Sequence, residues 1–294
     1  MLRIAFFLYR EWNYRIFENI YNYHKLRKDF SISTIVLTKD HQFTLDKKYS
    51  RTIKTRVVDP FDVRSIYKIL EDSDCQFALF YGWSWLVKEP ILSTFKCFGL
   101  HPSPLPKSRG GTPIQNQILN GVEDSALSLF QMDKGIDSGP IYKQASLSLL
   151  GNIEDVLSRM ADLGTILTKE LISGYLNGNL LLKSQKGLNS YPPLKRRTPA
   201  MSEIPINQIQ SKTYVEINNL VRCLRDPYPN AYVKIGKSRK LTIQQVEKYP
   251  DIPLKAYLLG AYAPSLKKIK MSKYIFLKLK DGYARLVEYK LEKS

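Results

Sequence analysis

Leu2-Arg-Ile-Ala-Phe-Phe-Leu8 is apolar at every position except Arg3. A strand without polar alternation is buried on both faces, as in a parallel sheet covered by helices. The following residues repeat this theme. Tyr9-Arg-Glu-Trp12 reads as the turn leaving the strand. Tyr14 to Leu26 carries Ile16, Phe17, Ile20, Tyr21 and Tyr23 at near-helical spacing and predicts a helix. Ser31 to Leu37 alternates and is rich in Ile, Val and Thr, so it predicts a strand. Thr38 to Thr55 is polar and reads as a loop. Pro60 to Leu70 predicts a helix, Phe77 to Tyr81 a short buried strand, Lys88 to Thr94 a short helix and Cys97 to Leu100 a strand. This β-α-β-α-β-α-β order places the chain in the α/β class, a Rossmann-like, mostly parallel sheet with helices on both faces. No Gly-x-Gly-x-x-Gly follows the first strand, so the ordinary dinucleotide fingerprint is missing.

The stretch Phe98 to Asn116 leaves that sheet abruptly. His101 stands where the strand should stop, and Pro102, Pro104 and Pro106 then deny the chain a ladder partner. Arg109-Gly-Gly-Thr112 precedes Pro113, which opens an amphipathic run to Leu119. Thr112 is the expected N-cap and Pro113 the expected first helical residue. Ligands of open α/β sheets bind at the C-terminal ends of strands, so His101 is placed for chemistry. Further on, Ala126 to Met132 predicts a strand and Asp133-Lys-Gly-Ile-Asp-Ser-Gly139 a Gly-rich turn. Ile141 to Leu150 predicts a strand and Ile153 to Leu176 a long helix.

After Gly187 the texture changes. Tyr191-Pro-Pro-Leu-Lys-Arg-Arg-Thr-Pro199 reads as an extended linker. Thr213 to Leu224 predicts a helix. Ala231 to Ile235, Lys240 to Val246, Tyr274 to Leu279 and Ala284 to Tyr289 predict strands, with Asp281-Gly282 as a hairpin turn. The expected organisation is a catalytic domain over 1–187, a linker over 188–204 and a smaller α+β or β-barrel-like domain over 205–294.

The 294 residues carry a net charge of +18. A basic chain suits an anionic partner: a nucleotide, a tRNA or a membrane surface. The lysines, however, are spread over the whole chain among abundant Ile, Asn and Tyr. That spread favours compositional drift plus a small anionic ligand over a nucleic acid, and the Lys267-Lys268-Ile-Lys270 cluster reads as a solvated face. No apolar run reaches a membrane span, and Tyr9-Arg-Glu-Trp12 interrupts any signal peptide, so a cytoplasmic protein is expected. Cys75, Cys97 and Cys223 are odd in number and scattered, and with only His24, His41 and His101 no disulfide framework or metal site is expected.

His101 and Asp137 stand out. The turns that hold them can lie side by side at the sheet edge, and a histidine with a nearby carboxylate is an oriented base whose cation is stabilised. Taken singly, His101 reads equally as a satisfied, partly buried histidine, and Asp137 as a turn-capping residue among Gly135, Ser138 and Gly139. The residues around them carry the case. His101-Pro-Ser-Pro-Leu-Pro-Lys-Ser-Arg-Gly-Gly-Thr-Pro-Ile-Gln115, Asn120-Gly121 and Met132-Asp-Lys-Gly-Ile-Asp-Ser-Gly-Pro140 together resemble the 10-formyltetrahydrofolate-dependent formyltransferases. The family pattern is Asn-x-His-x-Ser-x-Leu-Pro-x-x-Arg-Gly, with Gly-x-Asp-[Ser/Thr]-Gly about 36 residues after the histidine. Lys195-Arg-Arg-Thr-Pro199 and Leu220-Val-Arg-Cys-Leu-Arg-Asp-Pro-Tyr-Pro-Asn-Ala231 resemble the family's linker and second domain.

Methionyl-tRNA formyltransferases usually carry Arg-Gly-Ala-Ala-Pro and a long basic insertion after the second strand. This chain has Arg109-Gly-Gly-Thr-Pro113, only Thr38 to Lys48 after that strand, and Tyr9-Arg-Glu-Trp12 in its first turn. These features are similar to the sugar N-formyltransferases, which act on nucleotide-linked amino sugars, commonly a dTDP-4-amino-4,6-dideoxyhexose made for a surface polysaccharide. The resemblance implies that His101 takes a proton from the sugar amine or supports the tetrahedral intermediate as an imidazolium, with Asp137 orienting it. It implies folate contacts at Trp83, Ser84, Trp85, Leu86 and Val87 and in the turn at Asp133, Gly135 and Ile136. One or both of Trp83 and Trp85 also read as core. It implies substrate contacts at Tyr9, Arg10, Ser103, Pro104, Arg109, Gly110 and Gly111, the last two as a diphosphate-binding turn at a helix N-terminus. Arg10 reads equally as an exposed turn residue.

The sequence departs from the family at one catalytic position. The family asparagine two residues before the histidine is Gly99 here. An oxyanion donor of that kind is worth about 2.7–4 kcal/mol. A backbone N–H, a water in the vacated space, or an amide from Gln115 or Asn116 are the expected substitutes. The alternatives are a methionyl-tRNA formyltransferase, a folate- or nucleotide-binding protein without turnover, and the family's hydrolase branch, which usually carries a further regulatory domain. The apolar and aromatic C-terminal strands offer a face for a homodimer.

Overall fold

The computed structural model describes residues 1–187, 192–236, 238–252, 256–259 and 274–293. The chain divides into two compact units. The first is Met1–Pro113, Asp124–Ser148 and Leu157–Leu194; the second is Ile114–Glu123, Leu149–Val156 and Lys195–Ser294.

Seven strands of the first unit form one sheet: β1 (Leu2–Leu8), β2 (Phe30–Thr38), β3 (Lys54–Val58), β4 (Phe77–Phe80), β5 (Lys96–His101), β6 (Asp124–Gln131) and β7 (Ile141–Ser148). Their order is β3-β2-β1-β4-β5-β6-β7. The first five pair in parallel, and β6 and β7 join antiparallel. The helices between the strands are α1 (Glu11–Lys25), α2 (Lys47–Thr52), α3 (Val63–Asp72) and α4 (Ile91–Thr94), then α5 (Pro113–Leu119) and the long α6 (Ile153–Leu176). The apolar run at β1 is central, as its composition requires: Ile4 to Leu8 are wholly buried. On α1 the positions 13, 16, 17 and 20 face the sheet, and the Phe17 ring meets Phe6 edge-on at 5.5 Å. Cys75, Cys97 and Cys223 are buried free thiols, and burial raises the pKa of each.

Two expectations need correction here. The helix expected from Tyr14 begins at Glu11, so the turn after β1 is only Tyr9 and Arg10. The polar stretch Thr38 to Thr55 is not one loop. Asp46 caps α2 by accepting the Lys48 N–H, and β3 starts at Lys54. β3 is the outer strand, with Lys54, Arg56 and Val57 exposed and only Val58 buried, so its composition reads as polar. α5 starts at Pro113 as expected, which leaves Thr112 at the position before the helix, with left-handed backbone (φ 46°).

The second unit has α7 (Tyr214–Cys223) and a five-stranded sheet. Its strands are β8 (Ala231–Ile235), β9 (Arg239–Tyr249), β10 (Ala256–Leu259), β11 (Tyr274–Leu279) and β12 (Gly282–Lys293), in the order β10-β11-β12-β9-β8. The hairpin at Asp281-Gly282 joins β11 to β12, and Gly282 takes φ 132°. β10, four residues long and paired in parallel with β11, was not expected from the sequence. The Lys267–Lys270 cluster and Tyr191 lie outside the described residues. No helix among the described residues is long and apolar enough to cross a membrane.

Candidate active site

The parallel strands of the first unit end at one edge. β1 leads outward to β2 and β3, and the chain returns to place β4 on the other side of β1. The crevice between the ends of β1 and β4 is therefore the switch point where open α/β sheets take ligands. β5 lies next to β4 and ends in His101.

His101 is 6% exposed. Its Nε2 lies 2.8 Å from the Ser108 carbonyl oxygen, and its Nδ1 lies 3.3 Å from Asp137 Oδ2. A carbonyl and a carboxylate only accept hydrogen bonds, so a ring nitrogen that bonds either partner does so as an N–H donor. For a neutral ring to accept a proton at Nε2, the Ser108 carbonyl must give way to the incoming amine. Ser108 has φ 54°, so the loop that presents this carbonyl is held in the left-handed region.

Asp137 comes from the Gly-rich turn between β6 and β7 and also has left-handed backbone (φ 48°). Its Oδ2 accepts the Gly110 N–H at 2.9 Å while it faces His101. The turn is tied internally: Asp133 Oδ1 accepts from Gly135 N at 3.0 Å and from Ser138 Oγ at 2.6 Å. At Gly139 a Cβ would collide with the Gln131 carbonyl oxygen, so glycine is required there.

Two amides expected to receive a diphosphate are already engaged. Gly110 donates to Asp137, and Gly111 donates to the Leu194 carbonyl at 2.8 Å. Leu194 N donates back to the Arg109 carbonyl at 2.7 Å, which pins 109–111 against 192–194. A Cβ on Gly110 would stand 2.7 Å from the Leu194 oxygen. Ser103 is wholly buried and its hydroxyl donates to the Lys107 carbonyl, so it braces the loop and does not face a ligand. Pro104 is half-buried in the same turn, its carbonyl accepting from Lys107 N. The Arg109 guanidinium reaches Gln185 Oε1.

Gly99 faces Phe130 across the β5–β6 pair. A Cβ at Gly99 would lie 2.9 Å from the Phe130 ring. The ring fills the place where a side chain would begin, so the water expected in a vacated space has no room there.

At the switch point Arg10 ties three strand ends together. Its guanidinium donates to Gln42 Oε1 at 2.9 Å and to Ser84 Oγ at 3.4 Å, and lies 4.6 Å from the Tyr9 ring centroid. It is not a free turn residue. Tyr9 meets Trp85 edge-on at 4.9 Å, and Trp85 meets Trp83 at 5.0 Å. Trp83 and Val87 pack against the core beside Phe7 and Phe80. Trp83 packs inward on Phe7 and Phe80, and Trp85 lies between Trp83 and Tyr9. Leu86 (62% exposed) and Ile136 (44% exposed) are apolar side chains left in solvent on the two loops that flank β5. Flat, apolar-faced ligands with polar edges fit such a setting, so the residues present suit a pterin.

Sequence reasoning missed three side chains here. Gln42 and Gln185 lie in polar coil, where no spacing marks them. Asn13 is wholly buried, donates to the Tyr81 carbonyl and leaves Oδ1 unpartnered. It shares the α1 stripe with Ile16, Phe17 and Ile20, and a polar residue on an apolar stripe was the available signal.

The Formyl transferase family profile matches residues 17–172. A methionyl-tRNA formyltransferase of Mycoplasmopsis pulmonis is 32% identical over 155 residues, 49% of this chain and 54% of the relative. The chain thus spans about half the length of the curated relatives it matches. Among solved structures, a methionyl-tRNA formyltransferase from Clostridium thermocellum is 25% identical, with TM-score 0.60 over 85% of this chain and 94% of that one. A sugar N-formyltransferase from Shewanella is 15% identical, with TM-score 0.66 over 83% and 97%. HypX from Aquifex aeolicus in complex with tetrahydrofolic acid is 12% identical, with TM-score 0.65 over 98% and 44%. The last two are likenesses of fold. With the match covering more than half of its residues, the chain belongs to the formyl transferase family.

Proposed function

We propose that the chain transfers a formyl group from 10-formyltetrahydrofolate to the amine of a nucleotide-linked amino sugar. The observation that carries the acceptor is Arg10, held by Gln42 and Ser84 at the switch point, with Tyr9 and Trp85 beside it. A fixed guanidinium suits a diphosphate and an aromatic pair suits a base. With the Gly110 and Gly111 amides engaged, the phosphate role falls to Arg10. Folate brings the formyl carbon, and Trp85, Leu86 and Ile136 offer it apolar cover. His101 holds or moves the proton of the acceptor amine, and Asp137 orients the ring and balances its charge.

A methionyl-tRNA formyltransferase is the second reading. The sequence relatives of that name and the charge of +18 favour it. Against it, 39–46 is Lys-Asp-His-Gln-Phe-Thr-Leu-Asp, short and not basic, and it folds back onto the site through Gln42.

Binding titrations over a salt series separate the two. A nucleotide sugar engages one or two phosphates, so its log–log slope is about −1 to −2, whereas a tRNA engages many and gives a much steeper one. Saturable binding of a dTDP- or UDP-linked amino sugar with a shallow slope is the expected result. Tight, steeply salt-dependent binding of initiator tRNA with no sugar binding would replace this reading with the second.

A further inference from the structure

Gln185 is 4% exposed, and its amide makes every bond it can. Nε2 donates to the Asp137 carbonyl at 3.1 Å and to the Gly139 carbonyl at 2.6 Å. Oε1 accepts from Arg109 at Nε (3.3 Å) and at a terminal nitrogen (2.7 Å). Two donors and two lone pairs are the full capacity of a carboxamide. The residue is delivered by a segment anchored to the start of β7, where Lys183 and Ile141 exchange backbone hydrogen bonds at 2.7 and 2.8 Å.

These four bonds join the two loops that build the site. One carries Ser108, Arg109 and Gly110, which contact His101 Nε2, Gln185 and Asp137. The other carries Asp137 itself, in the left-handed conformation that an aspartate tolerates in a turn, with its carbonyl held by Gln185. We propose that Gln185 is a positioning residue of the reaction, holding the Asp137 turn and Arg109 in one frame so that Asp137 stays aimed at His101. Gln185 touches no reacting atom and acts through Asp137. The proposal rests on reading the His101–Asp137 pair as the formyl-transfer site.

Two variants test it, each also made in an Asp137→Asn background. Gln185→Met keeps the volume and removes all four bonds. Gln185→Glu keeps an acceptor for Arg109 but sets a carboxylate oxygen against two carbonyls. Misaligned groups cost about 10²-fold in turnover. In the wild-type background both variants are expected to lower kcat by that order with KM for either substrate little changed. In the Asp137→Asn background they are expected to cost almost nothing more. A second readout needs no substrate: the ring N–H resonance of His101, assigned among three histidines, is expected to be protected in the wild type and to lose protection in both variants and in Asp137→Asn. Equal losses of kcat in both backgrounds, or an unchanged His101 resonance, would overturn the proposal. If the wild-type chain formylates no acceptor, the functional reading fails, and the resonance still decides the role of Gln185.

Discussion

Gly99 and Phe130 occupy one space: the Phe130 ring covers the backbone where a Cβ of residue 99 would sit 2.9 Å from Cε1 and 3.0 Å from Cζ. A glycine in a buried strand is costly alone and is commonly covered by a cross-strand aromatic ring. Gly99→Ala therefore overpacks the pair and is expected to destabilise by about 1–3 kcal/mol in urea unfolding. In a Phe130→Leu background the same substitution is expected to cost markedly less, because the clashing ring is gone. Equal costs in both backgrounds would show that the ring does not set the glycine.

In the proposed reaction His101 and Asp137 act as one unit, so their removal should not be additive. His101→Ala is expected to lower kcat by about 10²–10⁴-fold, and Asp137→Asn to lower it within the same range. The double variant should fall little below His101→Ala alone. Tetrahydrofolate affinity, measured by fluorescence quenching of the tryptophans, should stay within a few-fold, because neither residue is placed against the pterin. Independent, multiplying losses would contradict the contact seen between Nδ1 and Oδ2.

The proposed nucleotide end of the site is tested at Arg10. Arg10→Ala removes a charge-assisted contact worth about 1.5–3 kcal/mol, so KM for the nucleotide sugar should rise about ten- to a hundred-fold with a smaller change in kcat. Gln42→Ala frees one guanidinium nitrogen and should give a weaker form of the same change. An unaltered KM in Arg10→Ala would move the phosphate site elsewhere.

In the second unit, Thr213 and Glu216 form a capping box at the start of α7. Thr213 N donates to Glu216 Oε2 at 2.8 Å, and Glu216 N donates to Thr213 Oγ1 at 3.3 Å. The backbone hydrogen bond from Thr213 holds the Glu216 carboxyl below the usual range. A depressed folded-state value gives stability above the unfolded value, about pH 4.3, that is lost as pH falls through the folded one. The side chain is 46% exposed, so screening keeps the term to about 1 kcal/mol or less. Glu216→Gln should be less stable than wild type at neutral pH, and the difference should shrink on acidification to about pH 3. A difference that does not change with pH would assign the effect to shape instead of charge.

The sheet was legible where burial dictates composition. β1, β4 and β5 are apolar because both faces are covered, and α6 matches its expected limits, Ile153 to Leu176. β3 was not legible, because an outer strand with exposed Lys54 and Arg56 carries no apolar run. In the site, the pairing of His101 with Asp137 was legible in the two-part motif, but not from the strand ends: β5 and β6 run antiparallel, so the turn after β6 starts beside the beginning of β5 and has to come back to meet His101. What spacing cannot express is which backbone amides are already spent. Gly110 and Gly111 look like an anion-binding turn in sequence, and the fold commits both N–H groups to Asp137 and Leu194. Gln185 is invisible for the same reason: its partners are three carbonyl or guanidinium groups far along the chain.

Mass spectrometry of the product is the most direct test of the proposed transfer. The protein is incubated with 10-formyltetrahydrofolate and a panel of dTDP- and UDP-linked amino sugars, with initiator methionyl-tRNA in parallel and His101→Ala as control. The expected result is one sugar nucleotide heavier by a single formyl group, and no such product with His101→Ala. Formylation of the tRNA with every sugar left unmodified, or a sugar product that persists in His101→Ala, would contradict it.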